Sequence, residues 1–300
     1  MKDVYLFSGF LGSGKTSMLV DVLNQLKEEG LKPAVMMNEL GEIPFDSRVV
    51  DEDVPLKEVL EGCICCSAGE KIEAQIQTLL HDFHFDVLII ESTGAAHPVE
   101  ALDAVYSPLF ADPLNIKGIV TVADSKLWME RNKLSPQARS LFLEQIRHAH
   151  LILANKSDLL SESEKASVAF ELQGVNPHAF ILQTTNGRVP LKLLQNMQAT
   201  ALRKNEIQQA QIGKHLHLSS RLIEFHRSFT QEEFEEWVRS LPESVYRMKG
   251  YVPIKGIRYP MIFQYAYGLV QWLPEYMNMP PKIVMIGENV DNVPVIGEEI

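Results

Sequence analysis

Gly9-Phe10-Leu11-Gly12-Ser13-Gly14-Lys15-Thr16 is the stretch that decides the fold. It has the glycine spacing and closing Lys-Thr of a phosphate-binding loop; its four fixed positions match by chance in roughly one chain of this length per hundred. Its surroundings are what the physics requires. The apolar run Val4–Phe7 before it reads as a buried strand. From Lys15 onward Met18, Leu19, Val22, Leu23 and Leu26 recur at helical spacing, and Gly30 reads as the C-terminal cap. Glycines at positions 9, 12 and 14 let backbone N–H groups curl around phosphate oxygens, and the helix start adds a favourable field. Lys15 is expected to reach the terminal phosphates, and the Thr16 hydroxyl to ligate Mg²⁺. Ser13 and Ser17 complete the expected contacts of this loop.

Outward from the loop, a strand-then-helix rhythm continues. Ala34–Met37, Val87–Ile90, Ile119–Val122, Leu151–Ala154 and Phe180–Leu182 are short apolar runs bounded by turn residues. That pattern predicts an α/β domain with a mainly parallel sheet buried on both faces. One of these strands ends on Glu91, followed by Ser92-Thr93-Gly94. A strand-end carboxylate beside a phosphate loop is placed to hold magnesium or its water, and Gly94 lets a loop approach the γ-phosphate. After Leu151–Ala154 comes Asn155-Lys156-Ser157-Asp158. A carboxylate there accepts from both N1–H and the exocyclic amine of guanine, so the tetrapeptide selects GTP over ATP. Thr184-Thr185-Asn186-Gly187, after the next strand, is a further candidate for backbone contacts to the base.

The rhythm changes near residue 202. Residues 1–201 are expected to form the nucleotide domain, 202–214 a polar linker, and 215–300 a smaller α+β domain. In that second part a strand is expected over His215–Phe225 and a helix over Gln231–Ser240, with Thr230 and Glu233 at capping-box spacing. Strand-like runs follow around Val245–Ile254, Met261–Tyr267 and Ile283–Ile286. The aromatics Tyr246, Tyr251, Phe263, Tyr265 and Trp272 read as core.

The net formal charge of −11 disfavours a nucleic-acid or anionic-membrane partner, because no basic surplus exists to neutralise phosphates. No apolar run reaches bilayer-spanning length, and Met1–Phe7 passes straight into the glycine loop with no signal-peptide pattern; a cytoplasmic location is expected.

The chain has three cysteines, all within Glu61-Gly62-Cys63-Ile64-Cys65-Cys66-Ser67. An odd number packed this tightly is no disulfide framework. Ser67 and Glu70 have capping-box spacing, so a helix is expected directly after Cys66, and a helix N-terminus favours thiolates. Three thiolates supply three of zinc's four tetrahedral positions and leave one for exchange.

Taken together, the glycine loop, Glu91-Ser92-Thr93-Gly94, Asn155–Asp158 and Cys-x-Cys-Cys resemble the CobW-like metallochaperone GTPases. Asn38-Glu39-Leu40-Gly41-Glu42 is similar to that family's Asn-Glu-Phe-Gly-Glu segment, and the stretch from Phe229 through Arg247-Met248-Lys249-Gly250-Tyr251 is similar to its C-terminal domain. The resemblance implies that Cys63, Cys65 and Cys66 bind zinc or cobalt near the γ-phosphate. It also implies that Glu39 and Glu42 lie in a switch segment, that Glu39 adds to the metal site and that Asp46 approaches the magnesium. For these carboxylates, solvated loop acids are the competing reading. The chain departs from many relatives in lacking a His-rich tract: its nine histidines are scattered. His215 and His217 would share one face of a strand, and His97 and His150 stand where relatives often carry Asp.

The resulting expectation is a slow GTPase, with Lys15, Thr16 and Glu91 assisting phosphoryl transfer to water. GTP binding would order the Asn38–Asp46 segment and the loop after Glu91, and hydrolysis would release the metal to a client metalloprotein. The second domain would recognise the client or a second copy of the chain. A metal-storage protein with GTP as a structural ligand and a P-loop small-molecule kinase are the competing readings. A thiol redox enzyme is disfavoured because Cys65 and Cys66 are adjacent.

Overall fold

A computed structural model describes residues 1–39, 54–60, 68–92, 94, 105–110, 112–197, 218–266, 268–288 and 290–297. The chain divides into two compact units, one of Met1–Val105 with Pro113–Ala199, the other of Tyr106–Asp112 with Thr200–Ile300.

The first unit runs β1 (Lys2–Ser8), α1 (Lys15–Glu28), β2 (Pro33–Glu39), β3 (Leu56–Leu60), α2 (Ala68–Asp82), β4 (Val87–Glu91) and β5 (Leu114–Asp124). It continues with α3 (Ser125–Met129), α4 (Pro136–Arg147), β6 (Leu151–Asn155), α5 (Glu162–Val175), β7 (Phe180–Gln183) and α6 (Leu191–Gln195). Its seven strands form one sheet in the order β3-β2-β4-β1-β5-β6-β7, every pairing parallel. Both faces are covered, as the unbroken apolar strands require. Tyr5, Phe7, Val120 and Val122 pack with Met18, Leu19, Val22, Leu23 and Leu26 of α1 and Leu191 and Leu194 of α6. On the other face Ala123, Ile152 and Ala154 meet Trp128 of α3, Phe142 and Ile146 of α4, and Val168 and Leu172 of α5.

Helix α1 ends as its glycine predicts. Gly30 adopts φ +74°, and the Leu31 N–H donates to Leu26 O at 2.9 Å, which closes the last turn. Helix α2 begins at Ala68, where a helix is expected after Cys66. Strand β3 is not legible from the sequence: Lys57 and Glu58 interrupt its apolar run, and its strand character comes from lying along β2 at the sheet edge. Strand β5 is longer than its apolar core because the register with β1 shifts between Val4 and Tyr5, opposite Gly118. Gly118 holds φ +136°, and a Cβ there would lie 2.9 Å from His150 Cγ. His150 Nδ1 accepts from the Ile119 N–H at 3.1 Å, so this histidine seats on the bulge.

The second unit contains β8 (Leu218–Glu224), α7 (Gln231–Arg239), β9 (Val245–Val252), β10 (Met261–Ala266), β11 (Leu269–Leu273) and β12 (Lys282–Glu288). They form an antiparallel sheet in the order β11-β10-β9-β12-β8. Thr230 caps α7 through the full capping box with Glu233. Phe234 of that helix meets Phe263 at 5.0 Å between ring centroids, inside a cluster with Phe225, Phe229 and Trp272. Phe263 is buried in this core and the half-buried Tyr265 and Trp272 pack against it; Tyr246 and Tyr251 are also half-buried. The segment Tyr106–Asp112 clusters with this unit although its sequence lies between β4 and β5. Tyr106 hydrogen-bonds Ser220, with burial raising its phenol pKa, and Asp112 pairs with Lys282 at 3.7 Å.

Candidate functional site

Strand β1 is flanked by β4 and β5, while the chain's next strand, β2, lies beyond β4. Connections therefore diverge at the carboxyl end of β1, where an open α/β sheet leaves a crevice. The loop Gly9–Gly14 occupies that point. Gly9, Gly12 and Gly14 all have positive φ, at +140°, +73° and +103°. A Cβ on Gly9 would lie 2.3 Å from Val122 O, and one on Gly14 would lie 2.4 Å from Asn155 Nδ2, so the loop is pressed against β5 and the end of β6. Gly12 has open space around it.

Lys15 begins α1 and is 8% exposed. Its ammonium donates to Gly9 O at 2.8 Å and Phe10 O at 3.4 Å, which folds it over the loop. Burial pushes its pKa down, and the nearby Glu91 carboxylate opposes that shift. Glu91 ends β4 level with Phe7 of β1 and is also buried. Thr16 is half-buried and Ser17 exposed at the same helix start. The Ser13 hydroxyl is buried and makes no hydrogen bond among the described residues. An orphaned buried hydroxyl costs about 1–3 kcal/mol, which a phosphate oxygen at the loop would offset. These residues fit a polyphosphate with its hard cation: backbone donors and an ammonium for phosphate, a threonine hydroxyl and a carboxylate as oxygen donors for Mg²⁺.

Beyond Glu91, the Ser92 N–H donates to Phe7 O at 2.9 Å, tying the departing chain to the strand that feeds the phosphate loop. Gly94 then comes so close to the loop that a Cβ on it would lie 2.7 Å from Leu11 N.

The segment Asn155–Asp158, expected to select the base, is locked to the same loop. Asn155, 2% exposed, donates through Nδ2 to Ser13 O at 2.8 Å and accepts at Oδ1 from the Gly187 N–H at 2.9 Å. Lys156 adopts φ +59°, and its ammonium pairs with Asp124 Oδ2 at 2.6 Å. Asp124 also caps α3, accepting from the Lys126 and Leu127 N–H groups. Asp158 stands exposed on the short turn Ser157–Leu159. That turn is fastened to the Thr184–Gly187 loop because Ser157 N–H and Oγ both donate to Thr184 O, at 3.1 and 2.9 Å. Gly187, at φ +68°, abuts α1, where a Cβ would lie 2.8 Å from Met18 N.

Cys63, Cys65, Cys66, Glu42, Asp46, Thr93, His97, His215 and His217 lie outside the described residues, as does the Glu39 side chain; the main chain of Glu39 pairs with Leu60 at the end of β2. Among the described residues no group of three His, Cys, Asp or Glu side chains could hold a metal. Two contributors escape sequence reading. Asp124 is a strand-end acid whose pairing with Lys156 depends on β5 and β6 lying side by side. Gln145, fully buried on α4, donates to Gly94 O at 3.1 Å. Its one visible signal is an amide on the helix face that also carries Phe142 and Ile146.

Residues 3–183 match the model of the CobW/HypB/UreG nucleotide-binding domain, and residues 218–296 match the cobalamin synthesis protein cobW C-terminal domain. The chain belongs to the CobW/HypB/UreG family. Among relatives of this CobW-type chain, the zinc-regulated GTPase metalloprotein activator 1 of Dictyostelium discoideum is 31% identical over 64% of this chain and 48% of its own length. The zinc chaperone YeiR of Escherichia coli is 35% identical over 55% of this chain and 50% of its own. For the zinc chaperone YjiA of the same organism the identity is 32%, over 68% of this chain and 64% of YjiA. The chain thus spans about half the length of the first two relatives. The crystal structure of Zn(II)-bound YjiA GTPase aligns over 95% of this chain and 94% of that one, with TM-score 0.54 and 24% identity, and has the same fold. No helix of the described residues is long and apolar enough to cross a membrane.

Proposed function

We propose that this CobW-type chain binds GTP·Mg²⁺ at the loop Gly9–Thr16, hydrolyses it, and uses the cycle to govern a zinc ion held by Cys63, Cys65 and Cys66 for delivery to a client metalloprotein. The observation that carries the nucleotide half is Asn155. One buried amide joins the phosphate loop at Ser13 to the base loop at Gly187, so the phosphate cradle and the guanine-selective turn form one rigid unit. The names of the relatives support zinc as cargo, and the soft thiolate set agrees with it. Cobalt suits the same sulfur ligands.

In this reading the loop N–H groups and Lys15 hold the β- and γ-phosphates, Asp158 accepts from guanine, and Thr16 and Glu91 hold Mg²⁺. The cation would neutralise charge on the phosphate oxygens. Water attacks the γ-phosphorus, the bond to the β–γ bridging oxygen breaks, and GDP and inorganic phosphate leave. In the same reading Gly94 meets the γ-phosphate, a contact that hydrolysis would remove; its close approach to Leu11 of the loop supports this role. Glu39 and Asp46 belong to the switch segment that joins the phosphate site to the thiolates.

The deciding experiment measures zinc affinity by chelator competition with GTP·Mg²⁺, GDP·Mg²⁺ or no nucleotide, for the full chain and for Cys63→Ser, Cys65→Ser and Cys66→Ser. Tightening by GTP of about tenfold or more, about 1.4 kcal/mol of coupling, with loss in the serine variants, is expected. Equal affinity in all three nucleotide states would leave a metal-binding protein that GTP does not control.

A further inference from the structure

A fully buried glutamine on the apolar face of a helix is an anomaly of composition. Helix α4 turns Phe142 and Ile146 into the core, and Gln145 lies between them with no exposed surface. Burying a primary amide costs free energy unless it is hydrogen-bonded, so a leucine or methionine would be the default there. The amide Nε2 donates to the carbonyl of Gly94 at 3.1 Å. The Gln145 main-chain carbonyl is itself held, accepting from Thr121 Oγ1 at 3.0 Å. Thr121 is buried on β5 and pairs in register with Ser8, the residue before the phosphate loop. Gly94 in turn sits on Leu11 of that loop with no room for a Cβ. A continuous buried path therefore runs from the end of β1 through Thr121 and Gln145 to Gly94 and back onto the loop.

We infer that Gln145 is a positioning residue for nucleotide-state recognition: it fixes the height and orientation of Gly94 over Leu11, so that the chain after Glu91 meets the γ-phosphate of GTP. The inference rests on the function proposed above and assigns part of its switch. GTP differs from GDP at the γ-phosphate alone, so the groups that distinguish them lie beyond the β-phosphate. The α1 N-terminus contacts phosphates common to both nucleotides, and Lys15 keeps its β-phosphate contact in either. Gly94 stands at the rim of the loop, and its carbonyl is anchored to α4, which meets the loop separately through the apolar contact of Phe142 with Phe10, a contact that a change at Gln145 leaves in place. Removing the anchor should thus spare GDP binding and weaken what is specific to GTP.

The test uses the full chain with Mg²⁺ and compares wild type with Gln145→Met, which nearly conserves volume, and with Thr121→Val, which removes the hydroxyl holding the Gln145 carbonyl. GDP and GTPγS affinities, GTP turnover and melting temperature are measured for each. For Gln145→Met, GDP affinity within about twofold of wild type is expected, with GTPγS preference and kcat each reduced about five- to tenfold; Thr121→Val should shift the same two quantities by a smaller factor. An unchanged GTPγS-to-GDP ratio and kcat in Gln145→Met overturns the inference while leaving the GTPase reading intact. Equal loss of both affinities with a lower melting temperature marks Gln145 as structural and also overturns it. Failure of wild type to bind or hydrolyse GTP removes the reading beneath it, and the inference with it.

Discussion

Replacing Asn155 tests whether the phosphate loop and base loop form one rigid unit. Its amide donates to Ser13 O at 2.8 Å and accepts from the Gly187 N–H at 2.9 Å, with 2% of the residue exposed. Asn155→Ala strands one buried acceptor and one buried donor, each worth about 1–3 kcal/mol, so roughly 2–6 kcal/mol of stability is at stake. For a domain of about 200 residues that corresponds to a melting temperature lower by roughly 5–15 °C. Both loops lose their mutual anchor, so GDP affinity should also fall by about tenfold or more, which is about 1.4 kcal/mol. Asn155→Asp sharpens the test. Its carboxyl keeps an acceptor for Gly187 but faces the Ser13 carbonyl with an oxygen in place of an N–H donor. Burial would raise its folded pKa above the unfolded value of about 3.9. Such a group contributes most below the unfolded pKa, where its proton can be donated to Ser13 O, and the contribution is lost as pH rises through the folded pKa. Asn155→Asp should therefore approach wild type in acid and fall to or below Asn155→Ala at pH 8. Thermal unfolding of the full chain from about pH 4 to 8, with GDP·Mg²⁺ added at the neutral end, reads all of this. Melting within about 1 °C of wild type for Asn155→Ala, with GDP affinity unchanged, would refute the bridge.

Other perturbations follow from single contacts. Gly94→Ala places a Cβ 2.7 Å from Leu11 N, against backbone that cannot yield; a drop in GTP turnover of about tenfold or more is expected, with GDP titration as the control. Thr230→Ala removes the hydroxyl that accepts from the Glu233 N–H at 3.1 Å; a loss of about 1 kcal/mol is expected, read by urea unfolding of the full chain followed at Trp237 and Trp272. Glu144 is held down to about 2 from an ordinary 4.5, chiefly by its hydrogen bond with His148 and further by Arg147. A depressed carboxylate contributes above its unfolded pKa and loses that contribution as pH falls from about 4.5 toward 2. Glu144→Gln should thus cost about 1 kcal/mol near neutrality after solvent screening, and the variant's stability should converge on wild type over that acid interval.

The loop of the proposed nucleotide site was legible because its geometry is local. Gly9–Thr16 carries its own geometry: glycines where φ is positive, then a lysine and threonine at a helix start, between a strand and a helix whose periodicities are visible in a few residues. Glu91 and Asn155–Asp158 were legible as strand ends, because a parallel sheet sends its carboxyl ends to one edge. The capping box at Thr230 was equally local. Strand β3 was not, because edge pairing makes it a strand despite Lys57 and Glu58. Nor was the membership of Tyr106–Asp112 in the second unit, since its fit to Ser220 and Lys282 joins residues more than a hundred positions apart.

The sequence by itself determined the parallel α/β domain, the glycine-rich loop between β1 and α1, the turn that follows β6 and a second unit of different rhythm. Each follows from periodicity or from residues a few positions apart. Only the tertiary structure decided that Asn155 ties Ser13 to Gly187, that Asp124 pairs with Lys156, and that Gln145 donates to the Gly94 carbonyl. The physical reason is that an amide or carboxylate at one position has no partner until strands and helices remote in sequence are packed. A buried polar group then either finds its hydrogen bond across the fold or costs the protein its stability.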